Sequence, residues 1–211
     1  MIPGGLLHLA LDTGDRCVFQ NETCQIEISE RDLYTPRTLE LLEPERRTEV
    51  LQNETRQIGV VSREVLLAED GRSFLTGMLN GRHPCAPYSD MMDIELVEVE
   101  EGRVVFVGMP STRYLNPVGT IHGGWAATIL DGAMAYCVHS TLKAGEGYTT
   151  IEMKINYIRP VLPSTGIVRC ESKLIHRGSR TATSEGRLFD KHGKLLTHGS
   201  ETCMIFPAEA T

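Results

Sequence analysis

The sequence predicts an α+β fold: a long central helix wrapped by a curved antiparallel β-sheet, with an N-terminal extension ahead of it. Three observations carry this. The segment 122–142 is the one long helical pattern, and it is apolar nearly all round, so it must be buried. Two strand patterns precede it and four follow, the latter joined by short turns that make an antiparallel meander. The strands alternate apolar with polar residues, so one sheet face can meet water without a second layer of helices.

The 211 residues suffice for one good-sized domain, or one domain with an extension. Composition changes near residue 70, which divides the chain into an extension over 1–70 and a main domain over 71–211. In the extension, 37–42 and 44–52 read as short helices separated by Pro44, a residue accepted at a helix start. GRSFLTGMLNGR is an amphipathic helix with Phe74, Leu75, Met78 and Leu79 on one side, and HPCAPYSDMMD predicts a further short helical turn. IELVEVEEGRVVFVGMP is a hairpin that turns at Glu101-Gly102. Its alternation slips between Leu96 and Val97, the mark of a bulge or of a strand start.

After the long helix, TTIEMKINYIRP sets Ile151, Met153, Ile155 and Tyr157 against Glu152, Lys154 and Asn156. IVRCESKLIHRG sets Val168 and Cys170 against Arg169 and Glu171. RTATSEGRLFD, a turn at Asp190-Lys191-His192-Gly193, and KLLTHGSETCMIF complete the domain.

Bulk properties exclude several functions. A net charge of −7 and a pI near 5.5 argue against a nucleic-acid binder that works by neutralising phosphates. No apolar run approaches the ~18 residues of a membrane span. The first residues lack a basic n-region, so no signal peptide is expected and the sequons at Asn21 and Asn53 read as chance matches. Six cysteines form no Cys-x-x-Cys pair, which removes a zinc ribbon and a thioredoxin-type site. Reduced core thiols and a cytoplasmic location are the expectation, with no metal.

Chemistry gathers in NPVGTIHGGWAATILDGAM. Asp131 is the only formally charged side chain between Gly123 and Leu142. A buried, unpartnered carboxylate costs several kcal/mol or changes its pKa. On a helical projection Gly124, Thr128, Asp131, Ala135 and His139 share a strip about 80° wide. That strip either faces solvent or lines a site or subunit contact. The glycine-rich helix start leaves backbone N–H groups unpaired, carries partial positive charge and suits an oxyanion. Taken alone, His122 reads as a turn or capping residue, and its spacing to Asp131 is not that of metal ligands. Gly123 and Asp131 are about 12 Å apart along a helix, whereas a donor and an attacking carboxylate must both come within about 3–4 Å of one carbonyl. One helix cannot supply both. Two helices packed antiparallel about a two-fold axis can, which makes any such site shared between subunits.

The Asn-x5-His-Gly-Gly-x6-Asp pattern, YTTIEMKINYIRPV and HRGSRTATSEGRLFDKHGKLLTHGSETCMIF resemble the PaaI-type branch of hotdog-fold acyl-CoA thioesterases over residues 72–206. The resemblance implies a hotdog fold, a homodimer or homotetramer, an acyl-CoA substrate, and no cofactor beyond the coenzyme A of that substrate. It implies Asp131 as general base or nucleophile, Gly123 as backbone donor to the thioester oxygen, and Asn116 and His122 as groups positioning thioester or water. Thr149, eighteen residues after Asp131, matches the place where relatives have a Ser or Thr on the water. Gly124, Arg159, Arg177, Gly178, Ser179 and Arg180 are candidates for holding coenzyme A. Two other readings stand beside hydrolysis: a non-catalytic acyl-CoA sensor and an enoyl-CoA hydratase or dehydratase. Neither nucleic acid nor membrane is expected as a partner.

Overall fold

The structure, a computed structural model, describes residues 18–20, 23–25 and 57–208. The helices read at 37–42 and 44–52 lie outside these residues. The chain divides into two units, Met1–Thr55 and Arg56–Thr211. In the first, β1 (Val18–Gln20) and β2 (Thr23–Gln25) form an antiparallel hairpin with Val18 opposite Gln25.

The second unit begins with three short helices. α1 (Arg63–Ala68) is capped by Ser62, and α2 (Gly71–Leu79) by Asp70, whose carboxylate accepts from the Ser73 N–H at 2.9 Å. α2 buries Phe74 and Leu75, the apolar side expected of it. α3 (Pro87–Met91) starts on a proline, whose missing N–H is harmless in a first turn. β3 (Ile94–Glu100) and β4 (Arg103–Gly108) form the expected hairpin, turning at Gly102 with φ +72°. Leu96 faces Phe106 and Glu98 faces Val105, so Val97 is the extra residue of a bulge where the alternation slipped.

α4 (Gly123–His139) is followed by β5 (Glu146–Tyr157), β6 (Val168–Arg177), β7 (Thr181–Asp190) and β8 (Leu195–Pro207). The six strands of this unit run β3-β4-β6-β7-β8-β5, each neighbour antiparallel. β6, β7 and β8 are the predicted meander. β5 departs from it, because residues 158–167 contain a 3-10 turn at Pro163–Thr165 and carry the chain away from a tight hairpin. β5 therefore ends at one sheet edge beside β8, and β3 lies at the other.

α4 lies across the concave face. Trp125, Ile129, Leu130 and Met134 are fully buried against Val104, Phe106, Cys170 and Leu188, each worth roughly 2 kcal/mol of apolar burial. The helix comes so close that a methyl at Gly186 would meet Leu130 and Met134 at 2.9 Å, and one at Gly108 would meet Ile129 at 2.9 Å. Its C-terminus is tied to the β3–β4 turn: Ser140 Oγ accepts from the Gly102 N–H at 2.8 Å and Cys137 Sγ donates to the Gly102 carbonyl at 3.2 Å. Among the described residues no helix is long and apolar enough to cross a membrane.

Candidate active site

The site is built from the loop before α4, the start of α4, its middle, and the helix-facing side of β5 and β8. Asn116 organises the loop. Its Oδ1 accepts from the N–H groups of Val118 (3.0 Å) and Thr120 (3.2 Å), and its Nδ2 donates to Thr120 Oγ1 at 2.7 Å. This is the Asx-type turn that asparagine favours. The second Asn116 Nδ2 hydrogen has no acceptor among the described residues. The Ile121 N–H donates to Val161 O and the His122 N–H to Tyr114 O, which fixes where α4 begins.

His122 is the N-cap of α4, and its Nδ1 accepts the Gly124 N–H at 2.9 Å. The imidazole is thereby held as the tautomer with hydrogen on Nε2, which faces outward as a donor. The N–H of Gly123, first residue of the helix, has no acceptor among the described residues, and the helix dipole adds positive potential there. The Tyr157 hydroxyl donates to the Gly123 carbonyl at 3.1 Å, and its ring would meet a Gly123 methyl at 3.2 Å. Tyr157 thus clamps the residue whose N–H is free.

Asp131 is half-buried, as are Gly124 and Thr128 on the same strip, whereas Ala135 and His139 are buried. At its far end the His139 ring is buried against Phe74, Tyr136 and Tyr148, and burial lowers its pKa to about 4. Burial raises the Asp131 carboxyl, and contact with Glu201 partly counters this. Glu201, on β8, is 1 % exposed. Its Oε1 accepts from Thr150 Oγ1 (2.8 Å) and Cys203 Sγ (3.1 Å). Burial pushes Glu201 up to about 7, the Cys203 and Thr150 donors oppose that, and the Asp131 charge adds to it. Neither carboxyl has an ion-pair partner among the described residues.

Thr149 is not brought to this group. It lies opposite Met204, and although both threonines are exposed it is Thr150, opposite Cys203, whose hydroxyl reaches Glu201. The cause is a bulge at Ile151: Thr150 pairs with Cys203 and Glu152 with Thr202, so the alternation changes phase between Thr150 and Met153. A single alternation through the whole strand would put Thr149 on the same face as Met153, and the bulge reverses that. Glu201 was missed too, although Cys203 and Ile205 at two-residue spacing signalled that it shares their buried face.

The arginines separate clearly. Arg177 Nη2 donates to Glu146 Oε2 at 2.5 Å and Arg159 Nη1 to the Leu195 carbonyl at 2.5 Å. Arg180 is exposed, and its side chain has no partner among the described residues. Gly178, Ser179 and Arg180 form the β6–β7 turn, closed by the Gly178 N–H to Thr181 O at 2.8 Å. Gly124 lies in the first turn of α4, its N–H taken by His122.

Comparison with known proteins bears on the family and the fold. Residues 118–197 match the Thioesterase superfamily. Human acyl-coenzyme A thioesterase 13 is 28 % identical over 110 residues, which cover 52 % of this chain and 77 % of that protein. The 1,4-dihydroxy-2-naphthoyl-CoA hydrolase of Listeria monocytogenes is 25 % identical over 107 residues, 51 % of this chain and 85 % of the hydrolase. Among solved structures, a phenylacetic acid degradation-related protein of Ralstonia eutropha superposes with a TM-score of 0.58 at 27 % identity, covering 62 % of this chain and 98 % of that one. The six-stranded antiparallel sheet around a central helix is the hotdog fold, and residues 118–197 of this chain are similar to the thioesterase superfamily.

Proposed function

We propose that the protein hydrolyses acyl-CoA thioesters to the free acid and coenzyme A, at two sites shared between the subunits of a homodimer. One observation carries the reading: among the described residues, α4 bears both an unengaged N–H at Gly123 and a half-buried carboxyl at Asp131 that meets another carboxyl and no cation. About 12 Å of helix separates them, too far for one thioester. The N-terminus of α4 in one subunit therefore serves the carboxylate of its partner. The exposed edge strand β5, with Ile151 57 % and Tyr157 56 % accessible, supports a partner seated along it.

Asp131 either takes a proton from a water that attacks the thioester carbonyl and passes it to the leaving thiolate, or attacks the carbonyl itself to form a mixed anhydride that water then hydrolyses to the free acid. The Gly123 N–H and the helix terminus stabilise the oxyanion, the C–S bond breaks, and coenzyme A leaves. Asn116 and the Nε2–H of His122 orient the thioester. Arg180, beside Gly178 and Ser179, is the arginine free to meet a coenzyme A phosphate. Two relatives named for hydrolysis of coenzyme A thioesters support this substrate class.

Release of free thiol from aryl-, arylacetyl- and short- to medium-chain acyl-CoAs tests the activity. Turnover of enoyl-CoA without thiol, or acyl-CoA binding with no turnover at all, overturns it. Sharing is tested by mixing two inactive variants, Asp131→Asn and Gly123→Pro, the latter lacking the N–H at a position where proline suits a helix. Random dimers regain about a quarter of wild-type activity if sites are shared, and none if each subunit is self-sufficient.

A further inference from the structure

The carboxyl beneath Asp131 has an unusual balance of partners. Glu201 projects from β8 toward α4, in line with Cys203 and Ile205, and water does not reach it. Its Oε1 takes two donors, while its Oε2 is fully buried with no hydrogen-bond partner of its own among the described residues. The neighbouring polar group on α4 is the Asp131 carboxyl. Two bare carboxylates in contact with no cation repel, and a buried oxygen without a partner is costly. Both problems vanish if Oε2 carries a proton and donates it to Asp131.

We infer that Glu201 is a positioning residue for the hydrolytic carboxylate: its protonated Oε2 holds one Asp131 oxygen from within the subunit and turns the other toward the thioester. This rests on the hydrolase reading above. Glu201 keeps its proton through the cycle, so no bond to it is made or broken. Thr150 from β5 and Cys203 from β8 lock its orientation through Oε1. The titratable groups facing it are Asp131 and Cys137 on α4, Tyr148 on β5 and Cys203 on β8. Burial pushes both thiols and the phenol up, so they remain neutral. Asp131 is then the one group of these whose charge Glu201 meets at ordinary pH.

The full-length chain is tested as Glu201→Gln, which keeps a donor but cannot titrate, and as Glu201→Leu, which keeps bulk and loses the donor. Carboxyl carbon NMR follows Asp131 across pH. In the wild type Asp131 titrates in two steps, the upper one coincident with Glu201, and Glu201→Gln removes that upper step. In parallel, the acid limb of kcat/KM for thiol release moves up by about one pH unit in Glu201→Leu, a roughly tenfold loss below the limb. Glu201→Gln recovers most of that loss. An Asp131 titration that is the same in wild type and Glu201→Gln overturns the inference, as does an unmoved acid limb in Glu201→Leu. If Glu201→Leu does not fold, the NMR comparison of wild type with Glu201→Gln decides. Absence of thiol release from the wild type would overturn the hydrolase reading instead, and the NMR titration would still report whether the two carboxyls share a proton.

Discussion

Two clusters of carboxylates in this molecule obey opposite rules. Where β3, β4 and β6 lie side by side, Glu98 binds Arg169 Nη2 and Arg103 Nη2, both at 2.7 Å, while Glu100 adds a bond to Arg103 and Glu171 one to Arg169. Partial burial pushes Glu98 up, but the two guanidinium groups outweigh it and its pKa falls below the ordinary value. Beneath α4, Asp131 and Glu201 have, among the described residues, only each other and neutral donors, and both are pushed up. In the first cluster every carboxylate has a guanidinium partner. The second is held short of a cation among the described residues, and perturbed carboxyls of that kind mark candidate functional sites.

The largest effect is expected at the unmatched pair. Asp131→Asn should lower kcat by ~10²-fold or more, the usual scale for a lost base, with the oligomeric state unchanged on gel filtration. Near-normal turnover would erase the distinction between the clusters.

Next comes pH-dependent stability. Glu201 is raised from 4.5 to about 7, so its contribution is full below the unfolded value and is lost as pH rises through about 7. His139 is lowered from 6.5 to about 4, so its contribution is full above 6.5 and is lost as pH falls through about 4. Their slopes oppose each other between about 4.5 and 6.5, where the wild-type urea midpoint should be nearly flat. Glu201→Gln should make stability rise with pH across that window, and His139→Phe should make it fall, each by an order of 1 kcal/mol per pH unit. Parallel curves for all three proteins would contradict the two assignments.

A smaller effect separates committed from free arginines. Arg180→Ala should raise KM for acyl-CoA about three- to tenfold, the scale of one phosphate contact near 1 kcal/mol, with kcat retained. Arg159 and Arg177 already serve Leu195 O and Glu146, so alanine there should act on stability before it acts on KM. The smallest effect belongs to the matched cluster. Glu98→Gln should change stability by no more than ~1 kcal/mol, less in high salt, without altering turnover. A large change in kcat would show that the network is not merely structural.

Much of the fold was legible because it rests on short-range patterns. The apolar run of α4, the Glu101-Gly102 turn, the slip at Leu96–Val97 and the β6–β7–β8 meander each depend on residues close in the chain. So did the helix start: Gly123, Gly124 and His122 are neighbours, and the capping geometry follows from their order. Thr149 and Thr150 show the limit. Which of two adjacent threonines faces the helix depends on one bulged residue, and a one-residue slip exchanges the faces of everything before it. The place of β5 at the sheet edge was equally illegible, since it depends on where the 158–167 connection delivers the chain.

From sequence alone came one buried helix with one acid, a donor-rich start to that helix, and a distance between them too long for a single substrate. Local periodicity and helical rise decide all three. Tertiary structure alone decided that Glu201 meets Asp131 and accepts from Thr150, that Arg180 rather than Arg159 or Arg177 lacks a partner among the described residues, and that Tyr157 clamps Gly123. These are meetings between segments far apart in the chain. They are set by strand register and by the close packing of α4 on the sheet, neither of which leaves a mark in any single stretch of residues.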